Sequence, residues 1–115
     1  MATSVLIVDD HARFRRSARR LLELEGYEVV GEAPDGTAGL AAAAELRPDV
    51  VLLDVNLPDL SGFEVSERLR GTGPLVVLTS DRDPSEIAPF AEDAGACGFV
   101  PKGSLSGAAL ARLLG

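Results

Sequence analysis

Three short runs in this sequence are apolar at every position: Val5-Leu6-Ile7-Val8, Val50-Val51-Leu52-Leu53 and Leu75-Val76-Val77-Leu78. A half-exposed strand alternates apolar and polar residues, so unbroken runs rich in β-branched side chains read as strands covered on both faces. The chain is therefore expected to build a sheet with helices on each side. Two further segments carry charge or glycine, Tyr27-Glu28-Val29-Val30-Gly31-Glu32 and Cys97-Gly98-Phe99-Val100, and both suit sheet edges. With the first, third and fourth strands in the middle, the order becomes 2-1-3-4-5. That is an α/β, doubly wound, five-stranded parallel sheet.

Helical patterns fill the spaces between strands, with their own start and stop signals. The first helix is expected from about Ala12 to Glu25, with Phe14, Ala18, Leu21 and Leu22 on one face and Gly26 as its stop. The second follows Asp35-Gly36 and ends at Arg47, because Pro48 disfavours helix in the residue before it. Ser61-Gly62-Phe63-Glu64 has the form of a capping box and opens the third. Asp83-Pro84-Ser85-Glu86 opens the fourth, with Pro at its first position. Pro89 follows one turn later, where it removes a backbone bond and crowds the Ser85 carbonyl, so this helix is expected to be kinked, short or late to start. The fifth covers roughly Ser104 to Leu114. Its apolar residues extend beyond one face, which points to a covering partner or a further domain.

Composition excludes several classes. At 115 residues, 46% hydrophobic and 25% charged, the chain fits a single domain, residues 1–115. No apolar run approaches the roughly 18 residues of a membrane span, and Met1-Ala2-Thr3-Ser4 lacks the basic stretch that opens a signal peptide. The one cysteine, Cys97, is read as a small core residue. A cytoplasmic protein is expected. The net charge of −7 argues against nucleic-acid binding and against anionic membranes. Arg13, Arg15, Arg16, Arg19 and Arg20 crowd the first helix, and the plainer reading of them is a solvated face.

In open α/β sheets, ligands bind beyond the carboxyl ends of the strands, where the strand order reverses. Those ends carry Asp9-Asp10 after the first strand and Asp54 after the third. Thr79-Ser80 follow the fourth and Lys102 follows the fifth. Taken singly, each has an ordinary explanation: Asp10 as a helix cap, Asp54 as a turn residue, Thr79 as a strand residue, Lys102 as a surface lysine. Together they place three carboxylates, one or two hydroxyls and an amine in one crevice. Crowded carboxylates resist ionising, and a hard cation such as Mg²⁺ relieves the repulsion. One carboxylate can then act as a nucleophile towards phosphorus, with Lys102 and Thr79 facing the phosphate oxygens.

The Asp9-Asp10 pair, Asp54 followed by Leu57-Pro58 and Gly62, the Thr79-Ser80 pair and Lys102 resemble, at these spacings, the receiver domain of two-component response regulators. The resemblance covers essentially the whole chain and implies a flavodoxin-like (βα)5 fold. It implies that Asp54 is the phosphoacceptor, that Asp9, Asp10, Asp54 and the Asn56 backbone carbonyl hold Mg²⁺, and that Lys102 binds the phosphate. Thr79 matches the switch hydroxyl, with Ser80 as the alternative, and Phe99 matches the switch aromatic. The donor would be a histidine kinase or a histidine phosphotransfer protein docking on the first helix, with the receiver itself catalysing transfer and dephosphorylation. The response would be a change of the helix 4–strand 5–helix 5 surface, read by a downstream protein, by the chain's own effector domain or by a homodimer partner. Pro101 stands before Lys102 and Gly103 after it, whereas the family more often has proline after the lysine.

Three alternatives stay open at this point. A phosphatase of the haloacid-dehalogenase type also uses a strand-end Asp with Mg²⁺, but it needs a second carboxylate where this chain has Asn56. A receiver-like interaction module that is never phosphorylated is the second. An N-terminal receiver fragment of a DNA-binding transcription regulator is the third.

Overall fold

Strands and helices alternate along the computed structural model, which describes residues 2–115. They are β1 (Ser4–Val8), α1 (Ala12–Leu24), β2 (Glu28–Ala33), α2 (Gly36–Leu46), β3 (Val50–Asp54), α3 (Gly62–Leu69), β4 (Leu75–Ser80), α4 (Pro84–Ala91), β5 (Gly98–Pro101) and α5 (Gly107–Leu114). The five strands form one parallel sheet in the order β2-β1-β3-β4-β5, as the apolar runs require. β3, at its centre, is buried at all five positions. β2 and β5 lie at the edges, where Pro101 meets no second ladder to donate to. The register slips between Val5 and Leu6 against β2, where Val29 and Gly31 take consecutive partners.

Alternation along the strands divides the interior into two cores. Val5, Ile7, Val50, Leu52, Val77 and Val100 pack with Ala18 and Leu22 of α1 and Leu110 of α5. Leu6, Val8, Val51, Leu53, Val76 and Leu78 pack on the other face with Ala43 of α2, Val65 and Leu69 of α3 and Ile87 of α4. At roughly 25 cal/mol per Å² of apolar surface, these two layers supply the main driving force of the fold.

Local signals held with some revisions. Arg47 leaves the α2 helix with φ 47°, a left-handed turn before Pro48. Ser61 caps α3 by accepting from the Phe63 N–H, but the reciprocal half of the capping box is missing because Glu64 pairs with Arg68 instead. α4 starts at its Asp83 cap and keeps Pro89 inside, so of the three expected outcomes it is the short one, at eight residues. α5 begins at Gly107, capped by the Ser106 hydroxyl, and not near Ser104; a 3₁₀ turn at Lys102–Ser104 takes up that segment. Its leucines turn inward, which leaves Ala108, Ala111 and Arg112 exposed. Cys97 is exposed and not a core residue, because the chain at that point only approaches β5 at the sheet edge. No helix of the described residues is long and apolar enough to cross a membrane.

Candidate functional site

Asp9, Asp54, Thr79 and Lys102 continue the alternation of Val5 and Ile7, Val50 and Leu52, Val77, and Val100. Strand parity thus delivers all four side chains to the same face, at the carboxyl ends of β1, β3, β4 and β5. Asp54 and Thr79 are register partners. Asp9, Asp54 and Thr79 are 1%, 3% and 1% exposed. A carboxylate pair and a hydroxyl buried to this degree need partners, and the structure supplies only some of them.

The Lys102 ammonium lies 2.7 Å from Asp9 Oδ2, 3.6 Å from Asp54 Oδ2 and 4.0 Å from Asp81 Oδ2. Its approach to Asp9 is an ion pair rather than an aligned hydrogen bond, and among the described residues Asp9 Oδ2 has no other donor. Beneath it, the Phe14 ring centroid is 4.6 Å from Nζ, within cation–π range. Burial pulls the lysine pKa down, but the Asp9, Asp54 and Asp81 carboxylates outweigh it and the net shift is upward. Lys102 therefore stays charged. Asp54 is pushed up to about 6, first by burial, then by the neighbouring Asp9 carboxylate, with Lys102 and the Asn56 N–H opposing. Its Oδ1 accepts from that N–H at 3.3 Å, while Oδ2 faces the lysine.

Asp10 does not cap α1. The N-cap position belongs to His11, which makes no side-chain cap, and the Asp10 side chain is 36% exposed at the mouth of the site. His11 closes the acidic pair instead. Its Nδ1 lies 3.1 Å from both Asp9 Oδ1 and Asp10 Oδ1, and its N–H donates to Asp9 Oδ1 at 2.8 Å. Ligand atoms of Asp9, Asp10, His11 and Asp54 all fall within 4.8 Å of one another. A hard, oxygen-rich set with one carboxylate oxygen lacking an aligned donor, beside an Asp54 whose ionisation is opposed by burial and by the Asp9 carboxylate, fits Mg²⁺. His11 is the poor ligand in the group and is better placed as a partner to the carboxylates.

The two hydroxyls differ. Thr79 Oγ1 is buried with no hydrogen-bond partner among the described residues. Ser80 is equally buried but its Oγ accepts from the Arg82 N–H at 2.9 Å and lies on the opposite side of the strand. Phe99 is half-buried against the α2–α3–α4 core, so it is not among the residues gathered on the site face.

Several participants have no local sequence signal. Phe14 is indistinguishable from a core residue until β5 is placed beside α1. Arg15 turns inward, donating to the Asp9 carbonyl and to Glu32, and Arg19 pairs with the same glutamate. Only Arg13, Arg16 and Arg20 of the arginine run are exposed. Asp59 reaches α2, more than twenty residues away in the chain: its carboxylate accepts from the Gly36 and Thr37 N–H groups and the Thr37 hydroxyl at 2.7–2.9 Å. His11 was the accessible omission, since it directly follows the acidic pair.

Comparison with known proteins gives a consistent outcome. Residues 5–113 match the family described as "Response regulator receiver domain". The positive transcription regulator BvgA of Bordetella pertussis is 45% identical over 104 residues, 89% of this chain and 50% of BvgA. The transcriptional regulatory protein KdpE of Mycobacterium tuberculosis is 45% identical over 102 residues, 87% of this chain and 44% of KdpE. The chain thus spans about half the length of the curated relatives it matches. Among solved structures, the signal receiver domain of the response regulator NarL from Mycobacterium tuberculosis superposes with a TM-score of 0.88 at 35% identity, covering 99% of this chain and 98% of that one. A CheY-like receiver domain from Methanospirillum hungatei gives 0.84 at 28% identity, covering 99% and 92%.

Proposed function

This chain belongs to the response regulator receiver domain family, and from that premise we propose that it is a signalling switch that accepts a phosphoryl group on Asp54. The observation that carries the reading is the convergence on one sheet face of a buried Asp54, a lysine ammonium 3.6 Å from it and a buried Thr79 hydroxyl with no partner. The donor is a phosphohistidine on a histidine kinase or phosphotransfer protein. Asp54 Oδ2 attacks phosphorus, the P–N bond breaks, and its electron pair leaves with the imidazole nitrogen. The product is an acyl phosphate.

Each neighbour has a defined task. The Asn56 N–H holds Oδ1 at 3.3 Å and leaves Oδ2 to react. Lys102, charged and half-buried, faces the phosphate oxygens as negative charge gathers there, and Thr79 can donate its free hydroxyl to one of them. Asp9, Asp10, Asp54 and the Asn56 backbone carbonyl would hold Mg²⁺, which supplies charge neutralisation for the carboxylates and the phosphate. Water attack on the phosphorus of the same acyl phosphate breaks its bond to Asp54 and releases inorganic phosphate; with Lys102 and Thr79 facing the phosphate oxygens, the receiver catalyses its own resetting. The switch then runs through Thr79 and Phe99 to the α4–β5–α5 surface, where Ala88, Ala91 and Glu92 of α4 line a groove with Phe99.

A second reading extends the first. The relatives are named as transcription regulators and are about twice the length of this match, which supports an output on transcription through an effector domain. The test of the primary reading is incubation with acetyl phosphate, with and without Mg²⁺, followed by phosphate-affinity electrophoresis. A retarded band that needs Mg²⁺ and disappears with a chelator is expected. A chain that never shifts, even with a histidine-phosphorylated donor, would instead be an unphosphorylated interaction module.

A further inference from the structure

The segment 56–61 between β3 and α3 contributes the Asn56 carbonyl to the metal site proposed above, yet Asn56, Pro58, Asp59 and Ser61 are all exposed. Its base is closed locally: Asn56 and Ser61 form an isolated bridge, and the Gly62 N–H donates to the Val55 carbonyl at 2.8 Å. These bonds shape the loop without fixing its direction. Among the described residues, the loop tip is hydrogen-bonded to another element only through Asp59. One carboxylate oxygen accepts from Gly36 N at 2.8 Å, and from Leu60 N at 2.8 Å within the loop. The other accepts from Thr37 N at 2.9 Å and Thr37 Oγ1 at 2.7 Å. The two α2 amides are first-turn donors that no helix bond satisfies, so a carboxylate is the favoured partner. Gly36 also permits the approach, since a Cβ there would press on Leu60 and Val65 at 3.0 Å. Asp10, Asn56 and Asp59 line one cleft.

We infer that Asp59 is a positioning residue for the metal site: by fastening the tip of the β3–α3 loop to the first turn of α2, it holds the Asn56 carbonyl where a divalent cation on Asp9 and Asp10 can use it. The inference rests on the proposed Mg²⁺ site and adds to it a residue that contacts neither metal nor phosphate. Asp35 is the natural control. It caps the same helix by accepting from Ala38 N at 2.7 Å, so its loss weakens α2 in a comparable way but leaves the loop attached.

The experiment titrates Mg²⁺ alone into the chain and follows amide NMR shifts, with thermal melts recorded in parallel. Asp59→Ala is expected to weaken Mg²⁺ binding by about tenfold, as loss of a group supporting a metal ligand commonly does. Asp59→Asn, which keeps one acceptor oxygen, and Thr37→Val, which removes only the hydroxyl, should fall between it and wild type; they also serve if Asp59→Ala does not fold. Asp35→Ala should lower the melting temperature while leaving the affinity within about twofold of wild type, because no loop contact is lost. Wild-type affinity in all three loop-clamp variants, or equal weakening in Asp35→Ala, overturns the inference while the metal site stands. A wild-type chain that takes up no Mg²⁺ overturns the metal site itself, and the inference with it.

Discussion

At the scale of single residues, the site is a set of buried polar groups left unsatisfied or crowded, and each makes a prediction about stability. Burial and the Asp9 carboxylate raise the Asp54 pKa to about 6. A raised value means that the folded chain binds this proton more tightly than the unfolded one. The resulting stabilisation is fully present below the ordinary value of 3.8 and is lost as pH rises through about 6. Asp54→Asn should therefore melt higher than wild type at about pH 8 without divalent metal, by about 1 kcal/mol after allowance for solvent screening, or roughly 4 °C. The difference should shrink towards about pH 5, where wild-type Asp54 is protonated; equal differences at both pH values would contradict the assignment. Thr79 offers a second test. Its buried hydroxyl has no partner, so the near-isosteric Thr79→Val should stabilise the fold by up to about 1 kcal/mol in urea titrations. The same change removes the donor proposed for a phosphate oxygen and should slow phosphoryl uptake about tenfold or more. Gain of stability with loss of rate is the signature of a functional hydroxyl, and loss of both would mark a structural one.

At the scale of elements, two positions show how the chain is held behind the site. A Cβ at Gly62 would collide with the Asp54 carbonyl oxygen and lie 2.7 Å from Val55 Cα, so α3 can start where it does only with glycine there. Gly62→Ala is expected to cost about 2 kcal/mol or more in denaturant titrations, because backbone rather than a flexible side chain must yield. Pro89 acts in the opposite sense. It removes a bond to the Ser85 carbonyl inside an eight-residue helix, and Pro89→Ala should stabilise the chain by about 1 kcal/mol, the restored bond being partly offset by the freer unfolded chain. Much of this level was legible beforehand. The unbroken apolar runs declared central strands, and Asp9, Asp54, Thr79 and Lys102 could be placed because ligand sites in this topology lie beyond the carboxyl ends of the strands. What was illegible depends on contacts between distant elements. Nothing near Asp59 announces its hold on α2, and nothing near Phe14 announces the lysine that follows β5 above its ring. Asp10 was readable as a cap only because His11, which takes the cap position without capping, offers no signal of that choice. The start of α5 was misplaced for a related reason: the 3₁₀ turn at Lys102–Ser104 continues a helix-like pattern with a different hydrogen bond.

For the whole molecule, two apolar layers of ordinary quality support a carboxylate cluster that the fold alone does not neutralise. Lys102 answers part of the repulsion, and a divalent cation would answer the rest. Mg²⁺ at ten times its dissociation constant should stabilise the native chain by about 1.4 kcal/mol, read as a rise in melting temperature of roughly 5 °C; an unchanged melt would remove the proposed metal site. The central claim, that Asp54 takes the phosphoryl group, is tested most directly by trapping it. After incubation with acetyl phosphate and Mg²⁺, borohydride delivers one hydride to an acyl phosphate, expelling phosphate to leave an aldehyde, and a second hydride with a proton from water reduces that aldehyde to an alcohol. Peptide mass spectrometry should then find homoserine at position 54 in wild type, and no reduced residue in Asp54→Asn or in a sample lacking Mg²⁺. Homoserine at another aspartate, or none at all, would contradict the account.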